Sequence, residues 1–113
     1  MIEKLFFITR ADLPPGDRAA QSVHGAIVFT LTYPDLVRAW HDTSNNVVLL
    51  EAKDEAALVK LAARAAAASV PLCTFSEPDL GDEMTALALG PTGYRLVSSL
   101  PLTLRERKPR VAA

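Results

Sequence analysis

Apolar positions along the chain cluster in short blocks separated by turn-forming residues, and the period within each block predicts its type. Residues 3–9 alternate weakly around an apolar centre and read as a buried strand. Pro14, Pro15 and Gly16 are expected to hold off helix until Asp17, whose carboxylate would cap the segment that follows. Between Arg18 and Tyr33, Ala20, Val23, Ile27 and Leu31 recur at helical spacing and predict a core-facing stripe. Pro34 suits the first turn of a second, short helix to about His41, with Leu36 and Trp40 on one face. Residues 42–46 carry turn chemistry, and the unbroken apolar run 47–52 predicts a strand buried on both faces. Asp54 is a credible cap for an Ala-rich helix to about Ser69. Residues 71–75 and 84–89 read as two further strands, Gly90 and Pro91 stop the second, and residues 93–100 suit a last short helix.

The element order is therefore β-α-α-β-α-β-β-α. Helices between the first three strands impose crossovers, so most of the sheet should be parallel, with helices on both its faces. The short link from third to fourth strand permits a reversal. The expected fold is α/β: one domain, residues 1–104, built on a mixed four-stranded sheet, with a basic tail at 105–113.

Composition narrows the function classes. Half of the 113 residues are apolar and 22% are charged, as in an ordinary globular domain. No apolar run approaches the ~18 residues that span a bilayer, and the run 5–8 is too short for a signal-peptide core, so a cytoplasmic protein with no membrane partner is expected. The single cysteine, Cys73, lies in an apolar stretch and reads as a buried structural thiol rather than a nucleophile or metal ligand. Net charge is −1, but four of the twelve bases (Arg105, Arg107, Lys108 and Arg110) sit in the last nine residues. The remainder carries eight bases against twelve acids. A folded face that grips nucleic acid carries a basic surplus, and this body does not.

One segment concentrates the chemistry. In the helix that opens after Gly16, Asp17, Gln21 and His24 share a stripe at spacings of four and three residues. An imidazole exchanges protons near neutral pH, and an amide can hold a carbonyl or a water beside it. In the plainer reading, His24 is a half-buried hydrogen-bonded side chain and Gln21 a solvated one. The segment 77–83 holds Glu77, Asp79, Asp82 and Glu83 with no base, which reads first as a solvated loop. Its spacing lacks a calcium-loop pattern, so no metal and no cofactor are expected.

With these elements placed, the chain resembles the type 2 peptidyl-tRNA hydrolase family over about residues 4 to 91. The resemblance rests on Arg10-x-Asp12-Leu13, then Gly16-x-x-Ala19-Ala20-Gln21-x-x-His24, on Trp40, on the strand 47–50 before Asp54, Glu55 and Leu58, and on the run from Thr85 to Pro91. It implies cleavage of the ester that joins a peptide to the 3′ end of tRNA. It also implies a site made of a Lys after the turn Gly, the helix Gln and His, an Asp before the fourth strand, and nearby Thr residues. Gln21, His24 and Thr85 match. The family's Gly-Lys is here Gly16-Asp17, which puts an anion where a cation is implied. The family's Asp-Ala-Gly-x-Thr loop is shortened and rewritten at 76–84, with Asp79 or Glu77 as the carboxylate that stands in. Glu77-Pro78 there resembles the shorter branch of peptidyl-tRNA hydrolase domain-containing proteins.

Two functions are expected from this. In the first, the protein hydrolyses peptidyl-tRNA or a related acyl ester: His24 handles protons, Gln21 positions substrate or water, Asp79 orients, Asp17 and Thr85 complete the site, and Arg10 or Arg18 contacts phosphate. In the second, a non-catalytic member of the family binds a protein or RNA partner. A homodimer accompanies either.

Overall fold

The computed structural model describes residues 3–105. The chain runs β1 (Lys4–Arg10), α1 (Pro15–Thr32), α2 (Pro34–Thr43), β2 (Asn46–Ala52), α3 (Glu55–Ala67), β3 (Leu72–Glu77), a 3-10 turn at Pro78–Leu80, β4 (Glu83–Leu89) and α4 (Tyr94–Val97). This is the expected α/β order. The basic tail lies outside the described residues from position 106 onward.

The sheet order is β2-β1-β4-β3. β1 and β2 are parallel, with Leu5 opposite Val47 and Ile8 opposite Leu50. β4 is antiparallel to both β1 and β3, so the first three strands share one direction and the fourth reverses. The expectation of a mostly parallel sheet is corrected: only one of the three neighbouring pairs is parallel, because the short link after β3 lets β4 fold back between β1 and β3.

Strand alternation divides the core. Phe6, Ile8, Leu50, Leu87 and Leu89 pack on one face beneath Leu58, Leu61 and Ala65 of α3 and Val97 of α4. Leu5, Phe7, Cys73 and Ala88 form the other face beneath Phe29 of α1, with Leu36, Val37 and Trp40 of α2 beside them. The Cys73 thiol is buried, as its apolar surroundings predicted. Asp54 does cap α3, accepting a hydrogen bond from the Ala57 amide at 2.9 Å.

Several expectations are corrected. Helix begins at Pro15 rather than Asp17, since proline at the first helical position lacks only an amide that would be unpaired there anyway. No side chain caps α1, and Asp17 sits within its first turn instead. β2 is an edge strand with Val47 exposed, so its apolar run is not buried on both faces.

The largest correction concerns α1. Its buried residues are Gln21, Ser22, Gly25 and Phe29, not the stripe of Ala20, Val23, Ile27 and Leu31. Val23, Ile27 and Leu31 are 58%, 53% and 77% exposed. The small face wins because it lets the helix lie close to the sheet: a Cβ on Gly25 would sit 3.4 Å from the Ala86 Cβ. The polar members of that face have partners inside the protein, Ser22 donating to the Arg18 carbonyl at 2.9 Å.

Candidate functional site

The site lies where the first half of α1 crosses β4 and β3. Side chains of β3 alternate, so Cys73, Phe75 and Glu77 face α1 while Leu72 faces α3. Thr85 reaches the same side through a bulge. Phe75 pairs with Ala86 and Ser76 with Met84, which leaves Thr85 as the extra residue of β4. Without that slip Thr85 would follow Leu87 and Leu89 onto the α3 face.

A hydrogen-bonded chain results. The Thr85 hydroxyl donates to Gln21 Oε1 at 2.6 Å, and Gln21 Nε2 donates to Glu77 Oε2 at 3.0 Å. Because a carboxylate only accepts, the Gln21 amide nitrogen must face Glu77, and the amide has one orientation. Gln21 is 6% exposed and Thr85 is fully buried. One turn along α1, His24 is exposed, and its ring stacks on Phe75 with centroids 4.5 Å apart and planes 5° from parallel. Among the described residues neither imidazole nitrogen has a hydrogen-bond partner, so both face solvent or a ligand.

The arginines expected to contact phosphate are engaged elsewhere. Arg10 is buried at the end of β1, donating to Asp12 through Nε and Nη2 at 2.9 Å each and to Glu83 at 2.6 Å. The bidentate hydrogen bond to Asp12 raises the Arg10 pKa and holds the Asp12 carboxyl below the usual carboxylate range. Arg18 points away from β3: it donates to the Leu13 carbonyl, to Glu51 of β2 at 3.1 Å and to Thr103 at 3.2 Å. Neither cation lies open beside His24.

Among the carboxylates, Glu77 meets Gln21, whereas Asp79 contributes its backbone amide to Glu77 and its side chain is exposed. The sequence named both as stand-ins; β-strand parity, which points residue 77 to the α1 side, is the signal that separates them. Asp17 is exposed on the same stripe of α1, one turn before Gln21. Phe75 is the site residue that motif reading missed, and the same parity places it beneath His24.

The assembled groups comprise a solvent-facing imidazole, an oriented amide with one N–H not used by Glu77, and a carboxylate, with Arg10 and Arg18 both paired elsewhere. Imidazole and amide are groups able to move protons and to hold a carbonyl. A family model, peptidyl-tRNA hydrolase PTH2, matches residues 3–105. No curated protein matches the chain.

Proposed function

Given that this chain belongs to the peptidyl-tRNA hydrolase PTH2 family, we propose that it hydrolyses the ester linking a peptide or acyl group to the 3′ end of tRNA. One observation carries the proposal: the Thr85–Gln21–Glu77 chain presents a fixed amide beside the exposed His24 ring. In this reading His24 takes a proton from the attacking water and returns one to the departing ribose hydroxyl. The second N–H of Gln21 donates to the substrate carbonyl as its oxygen gains charge. Glu77 and Thr85 are positioning residues that act through Gln21, and Phe75 holds the imidazole plane. Asp17 and Asp79 stand on the rim. A cytoplasmic setting accords with the single, unpaired cysteine.

The test is hydrolysis of an N-acetylated aminoacyl-tRNA by the purified chain and its variants. The native protein is expected to turn over, and His24→Ala to lose about 100-fold or more in kcat while remaining folded, with only the small loss of stability that removing the Phe75 stack entails. Turnover that survives His24→Ala would show that another group is the base.

A second reading is favoured by the carboxylates that neutralise Arg10 and Arg18 and by Asp17, where the resemblance implies a cation. There the fold is retained as a binding module for a protein or RNA, without chemistry. Native protein inactive in the same assay but active as Asp17→Lys would select that reading.

A further inference from the structure

Thr85 meets Gln21 only because β4 slips by one residue against β3, and such a slip has to be held in place. We propose that Arg10 and Glu55 are positioning residues for the candidate site: they clamp β4 just ahead of Thr85 and so aim the Gln21 amide. The effect on rate rests on the reading of Gln21 and His24 as the reacting groups; the effect on the Gln21 amide does not.

β1 and β4 pair as far as Thr9 and Ala86. Beyond that point β1 leans towards β2, where the Ala11 amide donates to the Ala52 carbonyl at 2.8 Å. Residues 83–85 therefore keep β3 on one side and lose β1 from the other. Backbone groups without a ladder need other partners. At Met84 two side chains supply them. Its amide donates to Glu55 Oε2 at 2.7 Å, and its carbonyl accepts from Arg10 Nη1 at 3.4 Å. The same Nη1 donates to the Glu83 carboxylate at 2.6 Å. The two residues before Thr85 are thus tied to the end of β1 and to the first turn of α3.

The Arg10 half of the clamp is itself fixed. Its guanidinium is buried, and its other edge is held by the two bonds to Asp12. Glu55 has a plainer reading, as an acid favoured at a helix N-terminus. That preference does not direct its carboxylate onto the backbone of a strand 29 positions away in the chain.

Releasing the clamp lets residues 84 and 85 return to regular alternation, which turns Thr85 to the α3 face with Leu87 and Leu89. Gln21 then keeps Glu77 but loses Thr85, and its amide is no longer held at both ends. In the proposed reaction that amide donates to an oxygen gaining charge, so the loss falls on kcat rather than KM.

The test follows the Gln21 side-chain amide by NMR in isotope-labelled protein, beside kcat and KM on an N-acetylated aminoacyl-tRNA. Glu55→Ala should shift both Gln21 side-chain amide protons and lower kcat about 10-fold or more, with KM little changed. Glu55→Gln keeps an acceptor oxygen and should restore most of both. Asp54→Ala strips the cap from the same helix and should lower the melting temperature without moving the Gln21 resonances. Arg10→Lys cannot grip Asp12 as a fork and reach Met84 at once, so it should repeat the Glu55→Ala pattern. If it fails to fold, the Glu55 variants decide alone. Gln21 resonances unmoved by Glu55→Ala, or moved as far by Asp54→Ala, overturn the proposal. So do resonances unmoved in a folded Arg10→Lys. Shifts that follow the expected pattern in a chain without turnover would keep the clamp and reject the hydrolysis.

Discussion

Both ends of the Gln21 amide are tied inside the protein, to Thr85 and to Glu77, and that fixes the amide one turn before His24 on α1. Two buried threonines allow the value of such a bond to be measured by contrast. Thr85 donates to Gln21, whereas Thr9, equally buried, has no partner for its Oγ1 among the described residues. Thr85→Val removes a donor and strands the Gln21 oxygen, so it should cost about 1–3 kcal/mol in urea unfolding. Thr9→Val removes an unsatisfied hydroxyl of nearly the same shape and should be neutral or stabilise by up to about 1 kcal/mol. Equal losses at both positions would contradict the hydrogen-bond assignment. At this scale the sequence was partly legible. Residue types and spacing singled out Gln21, His24 and Thr85, but no local pattern announces that a bulge turns Thr85 to the α1 side, because the slip involves two strands.

Among the elements, α1 decides whether the site exists. Its close approach over Ala86 brings Gln21 to Thr85 and His24 to Phe75. A Cβ at position 25 would already touch the Ala86 Cβ at 3.4 Å, so the γ-methyls of a branched side chain would press into the helix–sheet contact. Gly25→Val should push the helix off the sheet, cost about 1–3 kcal/mol and separate Gln21 from Thr85. A variant that keeps native stability would show that the helix packs less closely than described. The end of β1 adds a pH-dependent tie. Asp12 is held below the usual carboxylate range by Arg10, so its stabilising contribution is complete above the ordinary Asp value of about 4 and fades as pH falls through and below it. Acid titration of stability should lose part of its slope below about pH 4 in Asp12→Asn; the effect is small because Asp12 is partly exposed and screened. Element types and order were readable because strand and helix periods differ so plainly here. The buried face of α1 was not. Periodicity reports which residues of a helix are apolar, and here the apolar stripe faces outward while small and polar residues, each with a partner or a close contact, face the sheet.

Taken as a whole, the molecule separates its charges. Residues 1–104 carry eight bases and twelve acids, while positions 105, 107, 108 and 110 are basic. If tRNA is the substrate, those four bases are the densest run of candidate phosphate contacts, since Arg10 and Arg18 of the folded body are paired with carboxylates. Removing residues 105–113 should then reduce the slope of log K for tRNA against log salt by about two to three. An unchanged slope would place phosphate recognition on the folded body.

The proposed hydrolysis requires substrate to bind at the junction of α1 with β3 and β4. A non-hydrolysable 3′-terminal mimic, an N-acetylated aminoacyl-adenosine joined by an amide, can be titrated into isotope-labelled protein and followed by NMR. Shifts are expected first at the His24 imidazole, the Gln21 side-chain amide and the Phe75 ring. Saturable shifts confined to any other surface, with those three groups unmoved, would contradict it.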